Sequence, residues 1–319
     1  MDSLRPPSSP WKLPPVISPP QPPYRNWVEL PRDITALILR SLGDVEILNT
    51  ARLVCSTWRS ICNDPSMWRS IDMYNFDDRL WDSEYDKMCR YAVDESCGGL
   101  IYINIEHFGT DDLLIYIADG SNHLKRLSFA FCYDISDEGL SEVVAKFPLL
   151  EELAISGCPS ISYKALEVIA HCCPLLRSLK LNNKKWKHPY KCNQEALAIA
   201  ENMPDLRRLQ ILGNMLTDEG LQAILDGCPQ LESLDLRHCF NISLDGNLGK
   251  RCAEQIKDLR GPYDPTTDDY PFSESPKEDY ASRCSYFSWD VHYDDDDDDY
   301  DYYYDDGGGG DDDDDYDYL

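Results

Sequence analysis

Leucines at positions 124, 150, 176, 206 and 231 each open the same short pattern, L-x-x-L-x-[LIF]. The runs are Leu124-Leu127-Phe129, Leu150-Leu153-Ile155, Leu176-Leu179-Leu181, Leu206-Leu209-Ile211 and Leu231-Leu234-Leu236, with starts 26, 26, 30 and 25 residues apart. Alternation within each run is the period of a strand with one buried face. Eight residues after each start stand Cys132, Cys158, Lys184, Asn214 and Cys239, where a Cys or Asn is expected to satisfy backbone groups at a tight turn. A second apolar set follows at helical spacing, as in Leu140-Val143-Val144 and Leu166-Ile169-Ala170. Pro148, Pro174, Pro204 and Pro229 then close the units. No such unit can bury its own apolar face, whereas stacked neighbours can, so the chain is constrained to a solenoid.

The pattern is that of a leucine-rich repeat, and the fold class is α/β, with one strand and one helix per repeat. Weaker units extend it toward the N-terminus: Leu100-Ile103-Ile105 with a helix near Leu113 to Ile117, and a degenerate start at Trp68-Ile71-Met73. The solenoid is expected over residues 68–260, with about seven units in a short arc and Ile256-Leu259 in a C-terminal cap. Where leucines point inward, the alternating positions face the concave side. Arg126, Glu152, Lys180, Asn182, Arg208, Gln210, Asp235 and Arg237 are the charged and amide members of that strip and the candidate substrate contacts, beside Ser128, Ala130, Ala154, Ser156, Ser178, Leu212 and Ser233.

The segment 26–70 lies outside the repeat. It reads as three short helices: Asp33 to Leu42 stopped by Gly43, Val45 to Ala51 with Asp44 as N-cap, and Arg52 to Cys62 ending before Asn63-Asp64-Pro65. About 45 residues are too few for a stable core of their own, so part of their apolar surface must be covered by something else. The flanks differ in kind. Residues 1–25 form a leader with 9 prolines between positions 6 and 23, incompatible with a signal peptide and expected to be disordered. The tail, 261–319, is also expected to be disordered: residues 264–319 hold 22 acidic and 2 basic side chains, most of the net charge of −28. Such an excess repels phosphates and anionic lipid, which argues against nucleic acid and membrane partners. Without secretion the 13 cysteines should be reduced thiols, and the protein is expected inside the cell, in nucleus or cytoplasm.

Leu30-Pro31, followed by Ile34, Ile38-Leu39, Leu42, Val54-Cys55, Trp58-Arg59, Asp64-Pro65 and Trp68, closely resembles the F-box motif. With the repeats behind it, the chain resembles a plant F-box/LRR protein of the Skp-interacting-partner type. One departure is Asp33 with Thr35-Ala36, where many members carry Glu and a larger apolar residue. The resemblance implies a non-catalytic substrate receptor of an SCF ubiquitin ligase, or else a non-degradative scaffold. Its F-box would bind a Skp-type adaptor through Leu30, Pro31, Ile34, Ile38, Leu39, Leu42, Val54 and Trp58. Cullin and RING subunits would join through the adaptor, and the repeats would hold the protein substrate.

Other chemistry finds little support. No cysteines are spaced C-x-x-C, and in the cluster of His171, Cys172, Cys173, His188 and Cys192 the third member occupies the apolar slot of Phe147, Met203 and Cys228. Gly249-Lys250 lacks the Gly of a P-loop at position 244 and its hydroxyl residue. No metal, cofactor or catalytic constellation is therefore expected. The insert Lys184 to Lys191 interleaves basic and aromatic residues, a pattern open to loop decoration, a protein contact or single-stranded nucleic acid.

Overall fold

The computed structural model describes residues 30–74, 82–182 and 191–265. The expected leader, the insert up to Tyr190 and the tail beyond Pro265 lie outside the described residues. Eight parallel strands follow one another in chain order across one sheet: β1 (Ser70–Tyr74), β2 (Tyr102–Glu106), β3 (Arg126–Ala130), β4 (Glu152–Ser156), β5 (Ser178–Asn182), β6 (Arg208–Gln210), β7 (Ser233–Asp235) and β8 (Asp258–Arg260). The expected cap thus holds an eighth strand, with Leu259 in register with Leu234. Pattern leucines align strand by strand, Ile103 with Leu127, Leu127 with Leu153, Leu153 with Leu179 and Leu179 with Leu209. All five are buried, forming one ladder of apolar side chains behind the sheet.

Helices return the chain along the other side: α5 (Asp82–Glu95), α6 (Asp111–Gly120), α7 (Asp137–Val144), α8 (Tyr163–Cys172), α9 (Gln194–Asn202), α10 (Asp218–Gly227) and α11 (Gly246–Gln255). Thr110, Ser136 and Ser162 cap α6, α7 and α8 by accepting backbone N–H bonds at their first turns. A second set of bonds ties one repeat to the next. Asp111, first in α6, accepts from the Ser136 backbone N–H at 2.9 Å and its hydroxyl at 2.6 Å. Asp137 does the same for Ser162, Asn193 for Thr217, and Asp218 for the Ser243 N–H. Gly139 and Gly220 make room for this ladder: a Cβ at Gly139 would lie 2.0 Å from Asp111 Cγ, and one at Gly220 2.5 Å from Asn193 Oδ1.

The turn cysteines fulfil the backbone role read from the sequence. Cys132 Sγ donates to the Ile105 carbonyl and Cys239 Sγ to that of Ile211, while Asn214 Oδ1 accepts from the Leu216 N–H. Cys173, Phe147, Met203 and Cys228 share one buried slot. Among the described residues no group of three His, Cys, Asp or Glu could hold a metal ion. No helix among them is long and apolar enough to cross a membrane.

Ahead of the sheet lie α1 (Arg32–Arg40), a helical run over residues 44–54 and α4 (Ser56–Cys62), then a 3-10 turn, Pro65–Trp68. The middle run differs from expectation: α2 (Asp44–Glu46) passes through a π-helical segment, Ile47–Ala51, into α3 (Arg52–Val54). Gly43, at φ +86, makes the preceding turn, so Asp44 is the first helical residue instead of the cap. Arg52 to Cys62 is not one helix, because Cys55 is fully extended and its sulfur caps α4 through the Trp58 N–H.

Candidate partner-binding surfaces

Leu39, Ile47, Leu48, Ala51, Ile61, Cys62, Met67 and Trp68 belong to the same buried cluster as the repeat leucines. Such continuity covers the apolar surface that the short N-terminal segment could not bury alone. Trp68 Nε1 donates to the Cys62 carbonyl at 2.7 Å, and the Arg52 guanidinium lies 4.6 Å from the centre of the Tyr91 ring on α5. Asp44 accepts the Asp72 backbone N–H at 2.6 Å, closing part of the outer edge of β1. Burial raises the Asp44 carboxyl to about 6, against the opposing pull of that N–H. Near the surface, Asp64 is held below the usual carboxylate range by Ser66 and by Arg32, whose Nη2 lies 3.0 Å away.

What the core leaves uncovered on this segment is apolar. Ile34, Leu37, Leu42, Leu53 and Val54 are 45%, 61%, 44%, 60% and 59% exposed, half of the ten large apolar side chains so exposed among the described residues. Of the sequence candidates, Pro31, Ile34, Leu42 and Val54 are exposed, while Leu30, Ile38 and Trp58 are half-buried. Leu39 is fully buried, so it fixes α1 to the core and presents nothing to a partner. Leu37 and Leu53 escaped the sequence reading. Five of the six residues from Ile34 to Leu39 are apolar, which blurs the periodicity that would assign a face. Leu53 was hidden by the unforeseen break at Cys55.

The concave face divides into three rows running across the strands. The first contains Tyr102, Arg126, Glu152, Ser178 and Arg208; the middle contains Asp72, Asn104, Ser128, Ala154, Lys180 and Gln210; the third contains Glu106, Ala130, Ser156 and Asn182. These last four are buried. Each of the first three members immediately precedes a left-handed residue, His107, Phe131 or Gly157, where the strand ends although the N–H still bonds to the neighbouring strand's last carbonyl. Stacked rings at 5.0 Å hold His107 and Phe131 in that conformation.

The expected contact strip is correspondingly narrower. Asn182, 5% exposed, donates to Ser156 and accepts from Gln210. Arg237, 1% exposed, grips the buried Asp235 through two nitrogens and donates to the Pro265 carbonyl. Leu212 is fully buried too, since β6 ends at Gln210. These side chains hold the sheet end together and are not presented at the surface. Arg126, Lys180 and Arg208 are exposed, and Glu152 and Gln210 half-exposed. Arg208 Nη2 pairs with Glu152 at 2.7 Å, and Arg126 lies 4.9 Å from the centre of the Tyr102 ring. Burial pushes the Tyr102 phenol up to about 12.

A helical segment with an uncovered apolar surface, fused to a leucine-rich solenoid, is the arrangement of an F-box/LRR protein. The F-box-like family model matches residues 27–74, and the Leucine Rich repeat model matches 120–144 and 202–225. Putative F-box/LRR-repeat protein 23 of Arabidopsis thaliana is 53% identical over 243 residues, which cover 75% of this chain and 54% of that one. F-box protein SKIP19 of the same plant is also 53% identical, over 75% of this chain and 78% of its own length. The chain thus spans about half of the first relative and more than three quarters of the second. The solved structure of the yeast Rad7 and Elc1 complex covers 67% of this chain and 63% of that one, at 16% identity and a TM-score of 0.39. The chain belongs to the plant F-box/LRR-repeat family.

Proposed function

We propose that this chain is the substrate-recognition subunit of an SCF-type ubiquitin ligase. Its F-box surface docks on a Skp-type adaptor, which joins it to cullin and RING subunits, and the open rows of its concave face hold the client protein. The observation that carries this reading is the concentration of exposed Ile34, Leu37, Leu42, Leu53 and Val54 on a segment otherwise anchored in the solenoid core. Burying each such side chain contributes roughly 1.5–3 kcal/mol, so a few of them support a stable interface. Because F-box and repeats share one core, docking the first also positions the second. Ubiquitin transfer then gains from proximity: a client lysine held near a charged conjugating enzyme reacts as if at high effective concentration. No catalytic side chain of the receptor is required.

Affinity capture of the tagged full-length chain from plant cells, with and without proteasome inhibition, tests the proposal. Recovery of the adaptor, a cullin and ubiquitinated clients that accumulate under inhibition is the expected result. Adaptor without cullin or ubiquitinated clients would indicate a scaffold, and absence of the adaptor would overturn the reading altogether.

A further inference from the structure

On the middle row of the concave face, two side chains of opposite charge stand exposed without an ion-pair partner among the described residues: Asp72 on β1 and Lys180 on β5. Their neighbours in the first row are already matched, Arg208 by Glu152 and Arg126 by the Tyr102 ring. Asp72 is held in place, since its Oδ1 accepts from Asn104 Nδ2 at 2.9 Å and its own N–H is taken by Asp44. Between the two charges the row carries Asn104, which is buried and bonded to Asp72 and Glu106, then half-buried Ser128 and Ala154, all with side chains shorter than those of the flanking first-row residues Tyr102, Arg126 and Glu152.

We infer that this row recognises an extended client segment with a basic and an acidic side chain six positions apart, the basic one on Asp72 and the acidic one on Lys180. Here the client-holding role proposed above is taken as given. The spacing follows from geometry: four strand separations of about 4.8 Å span about 19 Å, and an extended chain advances about 3.3 Å per residue. Six is an even number, so both charged side chains face the sheet, with the second and fourth residues between them lying over the short side chains. The acidic partner is a carboxylate and not a phosphate, because Lys180 is a single cation and the nearby Arg208 is committed to Glu152. Opposed unpaired charges also reject segments carrying two like charges at this spacing.

Selection of displayed random twelve-residue peptides on the full-length chain, and on its Lys180→Glu and Asp72→Lys variants, tests the inference. Both substitutions are at exposed positions, and unchanged melting temperatures would verify the fold. The wild type should enrich a basic and an acidic residue six apart, Lys180→Glu two basic residues at that spacing, and Asp72→Lys two acidic residues. Wild-type-selected peptides should bind either variant roughly tenfold more weakly. Enriched peptides with no such pair, or with charges twelve or thirteen apart as a helix would place them, overturn the inference. If those peptides still lose binding in both variants, the concave face remains the client surface. If they bind both variants equally well, that reading falls with it. Failure to enrich any peptide also overturns the inference, and capture of the adaptor by the same preparations reports separately on the F-box.

Discussion

Gly139→Ala isolates the bond that joins successive repeats. The new Cβ would lie 2.0 Å from both Cγ and Oδ1 of Asp111, well inside contact distance, so the carboxylate must swing away. It then loses the Ser136 N–H at 2.9 Å and the Ser136 hydroxyl at 2.6 Å. Hydrogen bonds to a charged group contribute about 1.5–3 kcal/mol each. Both groups are only partly buried, so water recovers some of the loss, and Ala returns up to about 1 kcal/mol of helix propensity. A net destabilisation of about 2–3 kcal/mol follows, which lowers the melting temperature by about 4–12 °C in a protein of this size. Urea and thermal unfolding of Gly139→Ala, Asp111→Ala and the double variant form the assay. With the carboxylate gone, the same glycine substitution should cost little or become stabilising, giving a coupling of about 2 kcal/mol or more. Equal effects in both backgrounds would refute the reasoning, as would a neutral Gly139→Ala.

Further outcomes follow from two charged groups, half-buried Asp44 and buried Arg237. Folding raises the Asp44 carboxyl to about 6, so its contribution is fully present below the unfolded value of 3.8 and is lost as pH rises through 6. Asp44→Asn should therefore flatten the stability profile between pH 4 and 6 and stabilise the protein by about 1–3 kcal/mol at pH 8, while an unchanged pH profile would contradict the assignment. Arg237→Ala leaves Asp235 buried without its cation and should cost about 3 kcal/mol or more in urea unfolding; a loss below about 1 kcal/mol would show that the pair is dispensable.

The repeat was legible because its signal is redundant. Five strands carry the same leucine spacing, and register follows from it. Legibility fades where the signal stands alone: Leu259 is the single buried-face leucine of β8, too little to distinguish a strand from a cap. Exposure at strand ends was hidden for another reason. Alternation places Asn182 and Arg237 on the concave side, but their burial comes with partners that alternation does not reveal, Ser156 and Gln210 for the first, Asp235 and the Pro265 carbonyl for the second. In the F-box segment the residues were recognisable while their faces were not. Leu37 and Leu39 are two positions apart on one apolar helix, and only packing of Leu39 against the shared core turns Leu37 outward to 61% exposure.

Calorimetric titration of a Skp-type adaptor into the full-length chain tests the central claim most directly, with Leu37→Asp and Leu53→Asp combined in one variant. Both side chains are about 60% exposed, so the melting temperature should be preserved. Interface anchors commonly cost about 2 kcal/mol or more each on removal, so the affinity should fall at least about thirtyfold. Undiminished affinity in the folded variant would show that the adaptor does not use this surface, and the ligase assignment would lose its physical basis.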